Sequence, residues 1–269
     1  MQARLLIIDP QNDFCDIPGA ALPVAGADAD LTRLSSFMRR AVHDLTHITV
    51  TLDSHASVGI ERTTFWSTGT GEDMQPFTQV TAEDLVAGRF VPRDAARTPE
   101  VLAYLRALER GGRYRLVVWP VHCVLGTWGH NIHAGVAAEL ARWEKEHQRS
   151  ADRVLKGLNP MTEQYSAVQA EVPLEQDAAT RTNHALIARA RPGDGTLLVA
   201  GEAASHCVAA TVEHLFQAMS DDERRRVIIL RDCMSPVPGF EAQAEKFFAN
   251  AIAQGARVMT TAELSQAGS

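Results

Sequence analysis

The sequence predicts an α/β protein: a doubly wound, mostly parallel sheet of about six strands, in three layers with helices on both faces. Three observations predict it. Short apolar runs alternate with stretches of helical periodicity along the chain, the pattern of strand–helix–strand crossovers. The 269 residues, 45% of them apolar, suffice for the core of one such domain. No internal repeat, low-complexity tract or long Pro/Gly/Ser linker divides the chain, so a single domain over residues 1–269 is expected.

The runs Arg4–Ile8, Ile48–Leu52, Leu116–Trp119, Arg153–Leu155, Thr196–Ala200 and Val227–Leu230 read as strands, because each is short, apolar and bounded by polar or turn residues. Helical apolar spacing predicts helices over Ala29–His43, Pro99–Arg110, Gly135–His147, Ala178–Ala190, His206–Met219 and Gly239–Gln254. The segment Ala56–Arg97 is rich in Gly, Thr and Pro and too weakly periodic for core. A loop of that length is usually functional, so a cap or insertion within 56–118 is expected over the site.

Charge narrows the partners. A net charge of −7 and a pI near 5.8 leave no basic stripe for nucleic acid and point to a small molecule. No apolar run approaches the roughly 18 residues that span a bilayer, and the start MQARLLIIDP reads as a strand rather than a signal peptide, so a cytoplasmic protein with no membrane partner is expected. The four cysteines, Cys15, Cys123, Cys207 and Cys233, lack CxxC spacing and read as thiols. Gly69–Gly71 lacks the third glycine and preceding strand of a dinucleotide fingerprint, so no nucleotide cofactor is expected.

In an open parallel sheet, ligands bind outside the carboxyl ends of the strands, so the residues ending each run are read together. The run LLIID ends in Asp9, RVLK ends in Lys156, and LLVAGEAASHC delivers Cys207 to the start of a helical pattern. Unpaired N–H groups and a partial positive charge at a helix start favour thiolate and can receive an oxyanion. Alone, Cys207 reads equally as a nucleophile or a buried structural thiol, Asp9 as a turn residue, and Lys156 as a solvated one. Jointly they make a coherent set: a carboxylate to take the thiol proton and an ammonium to steady the thiolate. A second set begins in TLDSHAS, where Asp53 and His55 are two apart on an extended chain and so point the same way. With a distant third ligand such as His122 they can grip a divalent ion; without it they are two polar residues in a turn.

These residues resemble the cysteine hydrolases of the isochorismatase and nicotinamidase type. The resemblance rests on IIDPQNDF, VLKG and GEAASHCVAAT, in that order, and on WPVHCVLGTWG at Trp119–Gly129, and it spans most of the chain. It implies a catalytic triad of Asp9, Lys156 and Cys207. It also implies a cis peptide at Glu202–Ala203, which would turn the Ala203 and Cys207 N–H groups toward one oxyanion. One divalent metal ion (zinc, iron or manganese) is implied at Asp53, His55 and His122, the set of the nicotinamidase branch. The implied activity is hydrolysis of nicotinamide or a close heteroaromatic amide, through a thioester, to the acid and ammonia. The alternative is a metal-independent hydrolase of the same superfamily acting on isochorismate-like vinyl ethers, carbamoyl compounds or other small amides. Phe14, Trp66 and Tyr165 are candidate walls for the substrate ring, each of which also suits core packing. A homo-oligomer accords with the resembled family, although no interface can be read from the residues. The sequence departs from the family's pattern at DSHA, and at Glu202 and His206 beside the nucleophile. Cys123, His130, His133 and the charged run Asp221–Arg226 are read as packing, capping or solvated residues.

Overall fold

The computed structural model describes residues 2–267. Its strands in chain order are β1 (Ala3–Ile8), β2 (Leu45–Asp53), β3 (Trp66–Thr68), β4 (Thr78–Val80), β5 (Phe90–Pro92), β6 (Leu116–Val118), β7 (Asp152–Lys156), β8 (Thr196–Gly201), β9 (Val227–Leu230) and β10 (Arg257–Met259). Six of them form one sheet in the order β10-β9-β8-β1-β2-β7 with every neighbouring pair parallel. The chain builds outward from β1 to β2 and β7 on one side and to β8, β9 and β10 on the other. The carboxyl ends of β1 and β8 therefore flank the point where the winding reverses, the place where such sheets bind ligands.

The helices are α1 (Ala27–Arg40), α2 (Ala82–Val86), α3 (Thr98–Gly111), α4 (Ala134–His147), α5 (His184–Ala190), α6 (Cys207–Ala218), α7 (Asp221–Arg224), α8 (Glu241–Ala253) and α9 (Thr261–Ala267). Alternation along β1 sorts them into layers. Leu6 and Ile8 point into a cluster with Leu186 of α5, Val212 and Phe216 of α6 and Phe247 of α8. Leu5 and Ile7 point the other way, onto Leu31 and Leu34 of α1, Leu140 and Trp143 of α4 and Leu264 of α9. The three-layer α/β expectation holds.

Several elements differ from the expectation. The run at Leu116–Trp119 is not a strand of the main sheet: β6 pairs antiparallel with β4, and the sixth sheet strand is β10. Three residues, one of them arginine, carry too little pattern to mark β10. The helix expected over Ala178–Ala190 begins only at His184, where Asn183 accepts a hydrogen bond from the Leu186 N–H; a short 3-10 turn, Ala178–Thr180, precedes it. The segment after Ala56 is not coreless. Ile60, Phe65, Trp66 and Leu85 are buried with Val101, Leu105 and Leu108 of α3 in a third apolar cluster, whose parts before α3 are too short for periodicity to reveal.

Candidate active site

Each candidate reactive group is set by a local backbone feature of its strand end. Asp9 follows β1 with φ 45°, and Thr51 of β2 holds it: its carbonyl accepts from the Asp9 N–H, and its hydroxyl donates to Asp9 Oδ1 at 2.6 Å. Lys156 ends β7 beside Asp53, its partner in register on β2. At the end of β8, Gly201 has φ 115°, and a Cβ there would stand 1.9 Å from the Ile8 carbonyl oxygen, so only glycine lets the two strands close up. The chain then passes the cis peptide Glu202–Ala203 and enters α6 at Cys207. The Ala203 and Cys207 N–H groups donate to no acceptor among the described residues.

Lys156 joins the groups. Its Nζ lies 3.0 Å from Asp9 Oδ2, 2.7 Å from Asp53 Oδ1, 3.1 Å from the Gln164 carbonyl and 3.4 Å from Cys207 Sγ. Burial works against its charge, yet Asp53 and Asp9 hold the ammonium well above its usual range. Burial raises the Asp9 carboxyl against the pull of Lys156. For Asp53, burial is outweighed by His55 and Lys156, which hold it well below the usual carboxylate range. Burial pushes the Cys207 thiol well up, and Lys156 opposes this. The resting state is thus a neutral thiol beside a carboxylate able to take its proton.

Asp53, His55 and His122 are all buried, with ligand atoms within 4.8 Å of one another. Gln11 fixes the base of this group by donating to the Asp53 carbonyl and accepting from the Asp53 N–H. His55 Nδ1 lies 3.2 Å from Glu61 Oε1 and His122 Nδ1 2.8 Å from the Pro120 carbonyl, an outer support that leaves both Nε2 atoms for a metal ion. Both Nε2 atoms converge on Asp53 Oδ2, at 2.7 and 3.3 Å. One contact suits the other tautomer of His122: Arg62 Nη1 lies 2.6 Å from its Nδ1. The donor set, one carboxylate and two imidazoles, suits zinc, iron or manganese.

A single cavity touches both groups. Phe14 and Tyr165 line it, as do Asp53, His55, His122, Lys156, Ala203 and Cys207. Trp66 does not: it is wholly buried in the third cluster, and its indole N–H donates to the Ile60 carbonyl. Sequence reading did not place Leu22, Glu61, Trp119, Glu163, Gln164 or Val237 on the cavity wall. They come from loops far apart in the chain, and no local spacing marks them. Burial and the neighbouring Glu61 raise the Glu163 carboxyl to about 7. His206 also lines the cavity, and burial lowers its imidazole to about 4. His130 hydrogen-bonds Ser54 at 2.9 Å, His133 lies against Asp28, and Cys123 is buried core.

No family model matches the sequence, and no curated protein matches it. Solved structures do match the fold. The yeast nicotinamidase is 22% identical with a TM-score of 0.65, the match covering 96% of this chain and 99% of that one. A pyrazinamidase of Pyrococcus horikoshii in complex with zinc is 19% identical with a TM-score of 0.55, over 97% and 99% of the two chains. An isochorismatase-like hydrolase from Alkaliphilus metalliredigens is 17% identical with a TM-score of 0.55, over 100% of both. Among the described residues no helix is long and apolar enough to cross a membrane. The chain has the fold of the nicotinamidases and the isochorismatase-like hydrolases.

Proposed function

We propose that this protein is a cysteine-dependent amidohydrolase acting on nicotinamide or a close heteroaromatic amide. The observation that carries the reading is the single ammonium of Lys156 in contact with Asp9, Asp53 and Cys207, inside a cavity that also reaches His55 and His122. In the proposed reaction Asp9 takes the Cys207 proton, and the thiolate sulfur bonds to the carboxamide carbon as the carbonyl electron pair moves to oxygen. Lys156 offsets the charge on the thiolate. The Ala203 and Cys207 N–H groups, which have no acceptor among the described residues, would receive the oxyanion. Collapse breaks the C–N bond, and the proton held by Asp9 leaves with the nitrogen as ammonia. A water that gives its proton to Asp9 then cleaves the thioester to the carboxylic acid and restores the thiol.

A divalent ion held by Asp53, His55 and His122 would supply a Lewis-acid contact for a ring nitrogen and so fix the pose of the amide. Phe14 and Tyr165 would enclose the ring and exclude water. The test is ammonia release from nicotinamide by the wild type and by Cys207→Ala: the variant should lose activity, and full activity in it would end this reading. The Arg62 contact to His122 Nδ1 favours a second reading, a hydrolase of the same fold that works without an ion. Metal analysis after preparation with supplied zinc, manganese or iron separates the two.

A further inference from the structure

Where the cap meets α6 and α8 lie two further cavities, of about 180 and 300 Å³, that share Arg113, Tyr114, Ser205 and Gln243. The smaller reaches Gln79 of β4 and Val117 of β6 and has Tyr165 and His206 as a wall in common with the catalytic cavity. The larger runs between the two helices to Lys246 and Asn250 of α8. Arg113, Arg115 and Lys246 bring three cations to these walls and Glu213 the one carboxylate, on a chain whose net charge is −7. Glu213 is already engaged, 2.8 Å from Arg113 Nη2. Arg113 Nη1 donates to Glu171 and His214, and the guanidinium lies 5.3 Å from the centre of the Tyr114 ring, so its position is fixed. These three hydrogen bonds leave two of its five N–H donors unused. Ser205 is engaged at the nucleophile turn, where its hydroxyl lies 2.9 Å from His206 Nδ1 and accepts from the Val237 N–H.

The remaining polar groups are unengaged. The side chains of Arg115, Lys246, Gln79, Gln243 and Asn250 have no hydrogen-bond or ion-pair partner among the described residues, and neither has the Tyr114 hydroxyl. The Tyr114 ring is half-buried against Tyr165, 4.8 Å between centroids. Its hydroxyl is not one of the sealed, unpaired polar atoms, and Tyr114 lines these two cavities and not the catalytic one. We propose that the two cavities form one binding site for a small organic bisphosphate. Arg115 meets one phosphate and Lys246 the other, while the Tyr114 hydroxyl, the unused Arg113 donors and the Gln243 amide meet the oxygens between them. Walls with a surplus of donors call for a ligand rich in acceptors, and cations in both cavities call for two anionic groups rather than one. Phosphate suits them better than carboxylate, because it offers three acceptor oxygens to the arginine fork and the lysine ammonium. The site is separate from the proposed chemistry and does not depend on it.

The test is calorimetric titration of fructose 1,6-bisphosphate and adenosine 3′,5′-bisphosphate into the full chain at fixed ionic strength, with inorganic phosphate and citrate titrated in parallel. At least one bisphosphate should bind with a Kd below about 1 mM, and about tenfold or more tighter than either comparison anion. Arg115→Gln and Lys246→Gln should each weaken that binding by about tenfold. Both residues are exposed, so these variants keep the fold. Tyr114→Phe changes no charge and should weaken it by about threefold or more, a loss that diffuse attraction to a basic surface does not produce. Binding by neither bisphosphate, an affinity matched by inorganic phosphate or citrate, or a Kd that any of the three variants leaves unmoved overturns the inference. So does displacement of the bisphosphate by nicotinamide, which would put it in the catalytic cavity.

Discussion

Replacing Lys156 by Met is the sharpest test of how the site is held together. The ammonium is 1% exposed and faces Asp9 and Asp53, whose side chains are 0% and 6% exposed, at 3.0 and 2.7 Å. Methionine is close in length and shape but leaves two carboxyls near each other without a counter-charge. Removing one partner of a buried pair costs about 3–5 kcal/mol. Asp9, already raised by burial, would relieve part of this by keeping its proton to higher pH. A carboxyl whose folded-state pKa lies above its unfolded value stabilises the fold while protonated and loses that contribution as pH rises, by about 1.4 kcal/mol per unit for one proton. Urea unfolding from pH 5 to 8 should therefore find the variant about 3–5 kcal/mol below wild type at pH 8 and recovering toward pH 5. In folded variant, iodoacetamide alkylation of Cys207 should slow about tenfold or more as the thiolate loses its charge partner. A deficit under about 1 kcal/mol that is the same at pH 5 and pH 8 would refute the reasoning, because a pair worth so little is not a buried one.

Three further outcomes follow from individual contacts. Trp66→Ala should cost about 3–5 kcal/mol in urea unfolding, as for a large core truncation, while KM for the amide stays at its wild-type value; a raised KM would place the ring at the cavity after all. Gly157 has φ 76°, and a Cβ there would stand 2.5 Å from His55 Cε1, so Gly157→Ala should weaken metal binding, read by chelator competition, by about tenfold or more while Cys207 alkylation persists. Unchanged affinity would remove His55 from the ligand set. The His206 imidazole, lowered from 6.5 to about 4, stays neutral in the fold where the unfolded chain takes a proton, so it adds to the stability lost as pH falls between those values. His206→Phe should lessen that acid loss by up to about 3 kcal/mol between pH 7 and pH 4, and an identical acid slope in both proteins would contradict neutral burial.

What could be read in the sequence follows from how each feature is encoded. The sheet was legible because β1, β8 and β9 are buried on both faces and so leave near-continuous apolar runs, while β2 alternates apolar residues with threonine. Asp9, Lys156 and Cys207 were legible as a set because a parallel sheet brings its carboxyl ends together, so polar residues ending separate runs become neighbours. The cap was misread for a physical reason. Apart from α3, its core is assembled from strands of three residues and one helix of five, none long enough to repeat a period, so Trp66 seemed to belong to the cavity when it belongs to a local cluster. Leu22, Glu163 and Val237 reach the cavity from separate loops, and only the folded chain makes them adjacent.

Glu202 and His206, the two residues beside Cys207 that depart from the resembled pattern, meet the same neighbouring segment. Glu202 Oε2 accepts from the Ser235 N–H, the Ser235 carbonyl accepts from the Ala204 N–H, and Ser205, which orients His206, accepts from the Val237 N–H. Burial holds the Glu202 carboxyl well above its usual range, and its Oε2 serves as an acceptor. Val237 is thereby pinned to the turn that carries Cys207, and with it one wall of the cavity. A polar residue where an apolar one is expected thus need not add chemistry. At this turn Glu202 substitutes a hydrogen bond for packing to hold the wall.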